Sequence, residues 1–348
     1  MVENNNILHE GDKKMKAIKP FGPRNLKMVE VSDPEPASDE VLIKIKASGI
    51  CGSDMWVWRV DEAVDEIGGH EIGGKIIEVG SDVKNLEVGD RVAVNNVVGC
   101  GSCKYCRTGR FVLCSSRPGS DVNGGFGELV TAPARNCLPL KEGVSYEDGA
   151  LIFDNWGTPY AALERVGASE KDDIIVFGCG PIGLAAVALA RRRNAFVIGV
   201  DPVPERRQEA LKAGAGTVLD PREVDIEKQV KEITGGRGAD IAVECSGKGV
   251  SYENGFKALR VKGTFIAVGE NARYELKPSQ LLIRKNLNLI GSWYSTMREG
   301  LEVQDLIKAE KIDPTRFVTH RIDLEDVPDL FEDIFNYNQG IIKVLIKM

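Results

Sequence analysis

Four of the chain's eight cysteines fall within residues 100–114, CGSCKYCRTGRFVLC. Cys100, Cys103, Cys106 and Cys114 follow the spacing C-x2-C-x2-C-x7-C. Four thiolates this close along a chain can surround one ion, and Zn2+ takes such a set tetrahedrally. The segment is rich in Gly, Ser and Arg and has little apolar material with which to pack. Zinc binding in small peptides is worth about 10–16 kcal/mol, against roughly 1.5–3 kcal/mol for one buried side chain, so the metal would hold the lobe together. The competing reading is a redox disulfide pair. A site with four protein ligands leaves no position for substrate, so the lobe reads as structural and the chemistry lies elsewhere.

A second pattern, GCGPIG, sets Gly178, Gly180 and Gly183 as G-x-G-x-x-G, with Pro181 and Ile182 inside it. It follows the apolar run IIVF and opens a stretch of helical spacing, which is the context that gives the motif meaning. The first glycine permits a tight turn, the second a close approach of diphosphate, and the third close helix–strand packing. The helix N-terminus then offers free N–H groups to the anion. Asp201 stands 23 positions after Gly178, at the end of the next strand. A carboxylate there accepts from ribose hydroxyls and repels a 2′-phosphate, which favours NAD over NADP. The bland reading of Asp201 is a turn residue before Pro202. Arg206 and Arg207 keep NADP open, although an arginine there can also stack on adenine. Cys51 in GICGSD, and His70 with Glu71 in GGHEIGG, are further candidates. Their glycines argue for turns rather than a helical H-E-x-x-H motif, and spacing alone does not make them ligands.

These residues need elements to hold them. The 348 residues exceed what one core comfortably serves, so two domains are expected. Composition is that of an ordinary globular protein, with 43% hydrophobic and 28% charged residues. A net charge of −7 argues against a nucleic-acid partner. Runs such as LAAVALA fall short of the ~20 apolar residues a membrane span requires. The start, MVENNNILHEGDKKM, has no apolar stretch after a basic one, and reads as a polar tail without a secretory signal. A cytoplasmic setting with reduced thiols is therefore expected. From Lys16 to about Leu140, short apolar or alternating runs such as VLIKIKASGI and DRVAVNNVV predict a β-rich unit. After about Asn155, apolar strands and helical stretches alternate from DDIIVFG through LNLIGSW, predicting a parallel sheet with helical crossovers. From Met297 a helix, a strand, a helix and a last strand, GIIKVLIKM, return the chain.

From MKAIKPF to GIIKVLIKM the chain resembles the zinc-dependent medium-chain alcohol and polyol dehydrogenases, of the sorbitol and threonine dehydrogenase kind. The resemblance is carried in order by CGSD, GHE with glycines after it, VGDRVAV, the four-cysteine lobe, GGFGELV and GCGPIG. It implies an α/β protein in which a Rossmann-like parallel-sheet domain is inserted in a β-rich, GroES-like catalytic domain. The implied division is a polar tail at 1–14, a catalytic domain at 15–155 plus 295–348, and an NAD-binding domain at 156–294.

It also implies roles. Cys51 and His70 match catalytic zinc ligands, Glu71 a glutamate at or close to the metal, and Asp154 in FDNWGTP a further ligand. Asp54 is implied to orient His70 through its second ring nitrogen, and Ser53 to contact the substrate alcohol and start proton release. Thr158, the AVGE segment with Val268 and the GSW segment fall where the family contacts nicotinamide, and Lys343 where a basic residue meets the diphosphate. Two zinc ions per chain and NAD are the implied cofactors. The implied reaction is hydride transfer between a secondary alcohol of polyol, sugar or cyclitol type and its ketone. Simple secondary alcohols or threonine are alternative substrates. A zinc-free enone or quinone reductase and a non-catalytic dinucleotide binder are alternative functions. Met55 after CGSD, the missing proline before GHE and a short loop from Cys51 to His70 depart from the family pattern. Trp56 and Trp58 read equally as cleft or packing residues. The apolar run LNLIGSWYS at a sheet edge suggests pairing with a second copy, as a homodimer or homotetramer.

Overall fold

A six-stranded parallel sheet forms one body of the computed structural model, which describes residues 14–270, 273–336 and 340–348. Its strands run in the order Thr217–Leu219, Phe196–Val200, Asp173–Phe177, Ala239–Glu244, Leu259–Ala267 and Asn288–Gly291. The two central strands, DIIVF and ADIAVE, are almost wholly buried, as expected where helices cover both faces. The crossover helices include Pro181–Arg192, Pro204–Ala213 and Ile226–Ile233. Proline opens the first two, at a position where the missing N–H costs nothing. Leu259–Ala267 begins directly after the helix Gly249–Ala258, so the latter half of YENGFKALRVKG is strand.

The second body is a seven-stranded sheet in the order Val318–Asp323, Lys343–Lys347, Glu40–Ile50, Glu71–Val79, Arg91–Val94 and Cys137–Pro139, with Leu129–Pro133 also paired to Glu40–Ile50. Its strands come from both ends of the sequence, so the parallel sheet is inserted within it. Lys14–Pro20 and Leu26–Ser32 form a separate two-stranded hairpin that packs on this second body, with the Ile18 amide donating to the Phe126 carbonyl at 2.8 Å. That first strand starts at Lys14, the last residue of the expected tail; the rest of the tail, with His9, lies outside the described residues.

A helical stretch that sequence patterning did not expose joins the two bodies. Tyr146–Leu151 is α-helical, Ile152–Trp156 is a π turn, and Gly157–Arg165 is α-helical again. Ser145 caps its start by accepting from the Asp148 amide at 3.0 Å. Pro159 has no amide to give to the preceding turn, which favours a widened ring there. Trp156 from the π turn stacks on Phe317 at 5.9 Å and its indole donates to the Pro314 carbonyl at 3.2 Å. One apolar cluster runs through this point, from Ala93 and Phe111 on one side to Leu184 and Val243 on the other.

Candidate functional site

The strand Glu40–Ile50 delivers Cys51 at its end, where the chain turns into the 3-10 turn Gly52–Met55. Asp54 folds back to accept from the Cys51 amide at 2.8 Å. The neighbouring strand pairs Glu71 with Gly49, which brings His70 and Glu71 beside Cys51. A side chain at position 49 would lie 2.0 Å from a Glu71 carboxylate oxygen, so any larger residue there would displace Glu71. The π turn supplies Asp154. Cys51, His70, Glu71 and Asp154 then offer ligand atoms that all lie within 4.8 Å of one another.

The His70 ring shows what this cluster is suited to hold. Its Nδ1 lies 3.1 Å from Asp54 and its Nε2 lies 3.0 Å from Asp154. If Nδ1–H donates to Asp54, the Nε2 lone pair faces a carboxylate, and something positive must sit between them. In the metal-free protein that is a proton. Burial lowers the His70 pKa, but the charge of Asp54 and the bonds to Asp154 and Asp54 outweigh it and hold the ring well above its ordinary value. Burial would raise the Asp154 carboxyl, yet the bond to His70 outweighs it and takes the pKa down to about 2. Burial, then the Asp154 charge, push the Cys51 thiol up to about 11. Glu71 keeps one buried oxygen with no hydrogen-bond partner, and burial raises its pKa to about 7 despite Lys343. A divalent cation replacing the proton would relieve all four groups at once. The mixed sulfur, nitrogen and oxygen donors fit Zn2+.

Around them, Thr158 donates to Asp154 at 3.1 Å and the exposed Ser53 hydroxyl donates to the Cys51 sulfur at 3.3 Å. Asp54 is fully buried on the second nitrogen of His70, where the family resemblance put it. The Lys343 ammonium is buried and donates to Glu71 at 2.5 Å and to the Ile50 carbonyl at 2.9 Å. The cause is register: Val344 pairs with Ile50, which sets Lys343 beside the Cys51 end of the strand, and a buried ammonium takes the nearest carboxylate. Sequence reading missed this pair, and GIIKVLIKM carries no local sign of it. Trp58 packs on Phe331 at 5.3 Å within an apolar cluster, which favours packing for that tryptophan.

The second cluster gathers Cys100, Cys103, Cys106 and Cys114 within the same 4.8 Å span, all as free thiols. The Cys103 and Cys106 sulfurs are 3.5 Å apart, and the Cys100 and Cys106 sulfurs 3.9 Å. Ser102, through its hydroxyl and amide, takes the Cys100 thiol down to about 6, whereas burial pushes Cys106 up to about 12. The lobe has one anchor that its composition understated: Phe111 is buried in the main apolar cluster.

At the glycine turn, Gly178 adopts φ +83°, and a side chain at Gly183 would meet the Gly178 carbonyl at 1.8 Å. Gly180 faces open space, with Arg206 at 3.8 Å as the nearest neighbour of an added carbon. Pro181 and Ile182 begin the helix. Asp201 is buried at the end of its strand and accepts from the Cys179 amide and the Val203 amide, each at 2.8 Å. Arg207 donates to the Asp201 carbonyl at 2.7 Å and to Asp220 at 2.8 Å. Val268 follows the strand Leu259–Ala267, and its amide donates to the Glu244 carbonyl at 2.9 Å. These groups share the C-terminal edge of the parallel sheet, where such sheets bind ligands.

No helix among the described residues is long and apolar enough to cross a membrane. Residues 37–142 match the family described as alcohol dehydrogenase GroES-like domain, and residues 181–309 the family described as zinc-binding dehydrogenase. A sorbitol dehydrogenase of Halalkalibacterium halodurans is 32% identical over 85% of this chain and 89% of its own. An L-threonine 3-dehydrogenase of Pyrococcus horikoshii is 32% identical over 84% of this chain and 87% of its own. Among solved structures, an alcohol dehydrogenase (rspB) of Escherichia coli CFT073 complexed with NADH superposes with a TM-score of 0.86 at 27% identity, covering 96% of this chain and 99% of that one. Sequence, fold and relatives agree: the chain belongs to the zinc-type medium-chain alcohol and polyol dehydrogenases and is an oxidoreductase.

Proposed function

We propose that the protein interconverts a secondary alcohol of polyol, sugar or cyclitol type and its ketone, with NAD as hydride carrier. The carrying observation is the approach of His70 Nε2 and Asp154 to 3.0 Å inside a cluster that also holds Cys51 and Glu71. In this reading Cys51 and His70, with Asp154 or Glu71, hold a catalytic zinc, and the four lobe cysteines hold a structural one. Zn2+ supplies Lewis acidity toward the alcohol oxygen, and NAD at the glycine turn supplies the hydride acceptor. Asp54 keeps the proton on His70 Nδ1 and leaves Nε2 as a ligand. Ser53, exposed beside Cys51, takes the substrate proton and passes it toward the cofactor ribose and solvent.

NAD is preferred over NADP on the strength of Asp201, and of Asp220, which engages the guanidinium groups of both Arg207 and Arg222. Thr158 and Val268 flank the nicotinamide in this reading. The division at 155/156 and 294/295 separates the catalytic and NAD-binding domains. Pairing of two copies along the edge strand Asn288–Gly291, where Leu289 and Trp293 are exposed, gives the dimer from which a tetramer would be built. Free cysteines fit a cytoplasmic protein.

The test is absorbance at 340 nm with zinc-loaded protein, NAD or NADP, and a panel of polyols, sugars, cyclitols, simple secondary alcohols and threonine. Turnover of a polyhydroxy alcohol with NAD is expected, with two zinc ions per chain by elemental analysis. Cys51→Ala should abolish turnover and leave NAD binding intact; full activity in that variant would overturn the assignment. No bound zinc with enone reduction would favour the zinc-free reductase, and NAD binding without any turnover the idle binder.

A further inference from the structure

We propose that Ser295 is a positioning residue for Asp154: its hydroxyl holds the π turn in the shape that aims this carboxylate at His70, and the cysteine lobe steadies Ser295 from behind. The inference rests on the reading above, in which Asp154 helps Cys51 and His70 hold an ion.

The π turn has an identifiable cause. In an unbroken α-helix the Gly157 amide would bond the Phe153 carbonyl, but here it donates to the Asp154 carbonyl. The Phe153 carbonyl accepts instead from the Ser295 hydroxyl at 2.6 Å. A side chain inserted into the hydrogen-bond ladder of a helix opens it at that point. Gly157 makes room for the insertion, since a side chain there would lie 2.4 Å from the Ser295 Oγ. Pro159 loosens the same turn, and Ser295 fixes its shape. Ser295 is fully buried, so water does not compete for the bond. Asp154 comes next after Phe153, and its carboxylate lies 3.0 Å from His70 Nε2. A π turn carries one residue more than an α turn, so closing it would carry Asp154 out of register with His70.

Ser295 is itself held from two directions. Its carbonyl accepts from the Asn95 side chain at 3.1 Å, just past the strand Arg91–Val94. Two residues on, Met297 opens the helix Met297–Lys308, and its amide is one of those a helix start leaves without an internal partner. That amide donates to the Gly109 carbonyl at 2.9 Å. Gly109 has φ +66°, and a side chain there would lie 2.7 Å from Met297 Cβ, so lobe and helix are in close contact. The Gly109 amide in turn donates to the Cys106 carbonyl at 3.0 Å. A contiguous path thus runs from Cys106 of the lobe through Gly109, Met297 and Ser295 to the residue before Asp154. Such a path transmits only if cutting it changes affinity at the far end, which two variants measure.

The experiment titrates cobalt(II) into protein stripped of its more weakly held zinc. One thiolate at the open cluster and four in the lobe give the bound ion absorption of different strength, so the spectrum shows which site fills. In Ser295→Ala the affinity of the open cluster should fall about tenfold, as when a group behind a metal ligand is removed. The cobalt spectrum should change with it as the Asp154 oxygen withdraws. Gly109→Ala alters neither a cysteine nor Ser295. By pressing on Met297 it should weaken the open cluster in the same way while the lobe keeps its zinc. Wild-type affinity and spectrum in Ser295→Ala would assign the serine to packing and overturn the inference, even if the thermal midpoint falls. A loss in Ser295→Ala with none in Gly109→Ala would overturn the part given to the lobe. A wild type that takes up no ion at residues 51, 70 and 154 would overturn the zinc reading itself, and the inference with it.

Discussion

The two clusters of candidate metal ligands each gather their ligand atoms within 4.8 Å of one another and are built in opposite ways. The lobe draws four identical donors from residues 100–114, and short 3-10 turns at Cys106–Thr108 and Phe111–Leu113 bend the chain around them. The other cluster collects sulfur, nitrogen and oxygen from positions 51, 70, 71 and 154, and each of the last three donors leans on a group outside the set. Asp54 steadies His70, Lys343 meets Glu71, and Thr158 meets Asp154. A site that only has to hold can be made from one local segment. A site that has to react keeps donors of different character, and the rest of the fold must restrain them.

The contrast sets the order of expected effects. Cys106→Ala removes a buried donor from the self-contained lobe and should cost more than about 4 kcal/mol, the range reached when a structural metal is lost. Its zinc content should drop by one ion and its thermal midpoint should fall well below that of Cys51→Ala, which also loses one ion. Equal midpoints for the two variants would erase the distinction between a holding site and a reacting one.

Next in size is Lys343→Met. It leaves Glu71 buried without its cation, at a cost of about 3–5 kcal/mol in chemical denaturation. Adding Glu71→Gln should recover most of that loss, since the pair is then removed together. If the double variant is no better than the single one, the ammonium acts through packing rather than charge.

The smallest effect concerns protons. In the metal-free protein Cys51 titrates at about 11 and the His70 pKa lies well above its ordinary value, so near neutrality both carry protons that a metal must displace. Two displaced protons make zinc affinity at this cluster rise about a hundredfold per pH unit through the neutral range, and weaken equally as pH falls. In the lobe, Cys100, with its pKa at about 6, is already largely ionised near neutrality, whereas Cys106, at about 12, still has a proton to give up. Calorimetry of the Cys106→Ala protein in buffers of different ionisation enthalpy reads the proton count directly. A count near zero would mean that His70 and Cys51 are already deprotonated.

The same contrast explains what could be read from the sequence. The lobe, the glycine turn and the strand–helix alternation are local patterns, and each stands where its spacing placed it. The open cluster was visible only through family resemblance, because nothing in GICGSD or GGHEIGG says that the two segments pair. The pairing of Lys343 with Glu71 was invisible for a related reason: it depends on the register of Val344 against Ile50, which is settled between strands some 300 positions apart. The π turn around Asp154 left one faint trace, Pro159.

The helical stretch from Tyr146 to Arg165 has a mechanical consequence. Its first half is wedged against the strand Glu71–Val79, where a side chain at Gly73 would strike the Tyr146 carbonyl at 2.1 Å. Its second half packs on the helix Pro181–Arg192 of the other body. Asp154 sits at the crossing point, so any swing of one body against the other becomes a tug on this carboxylate relative to Cys51 and His70. An ion held by these groups would be gripped according to the posture of the whole molecule.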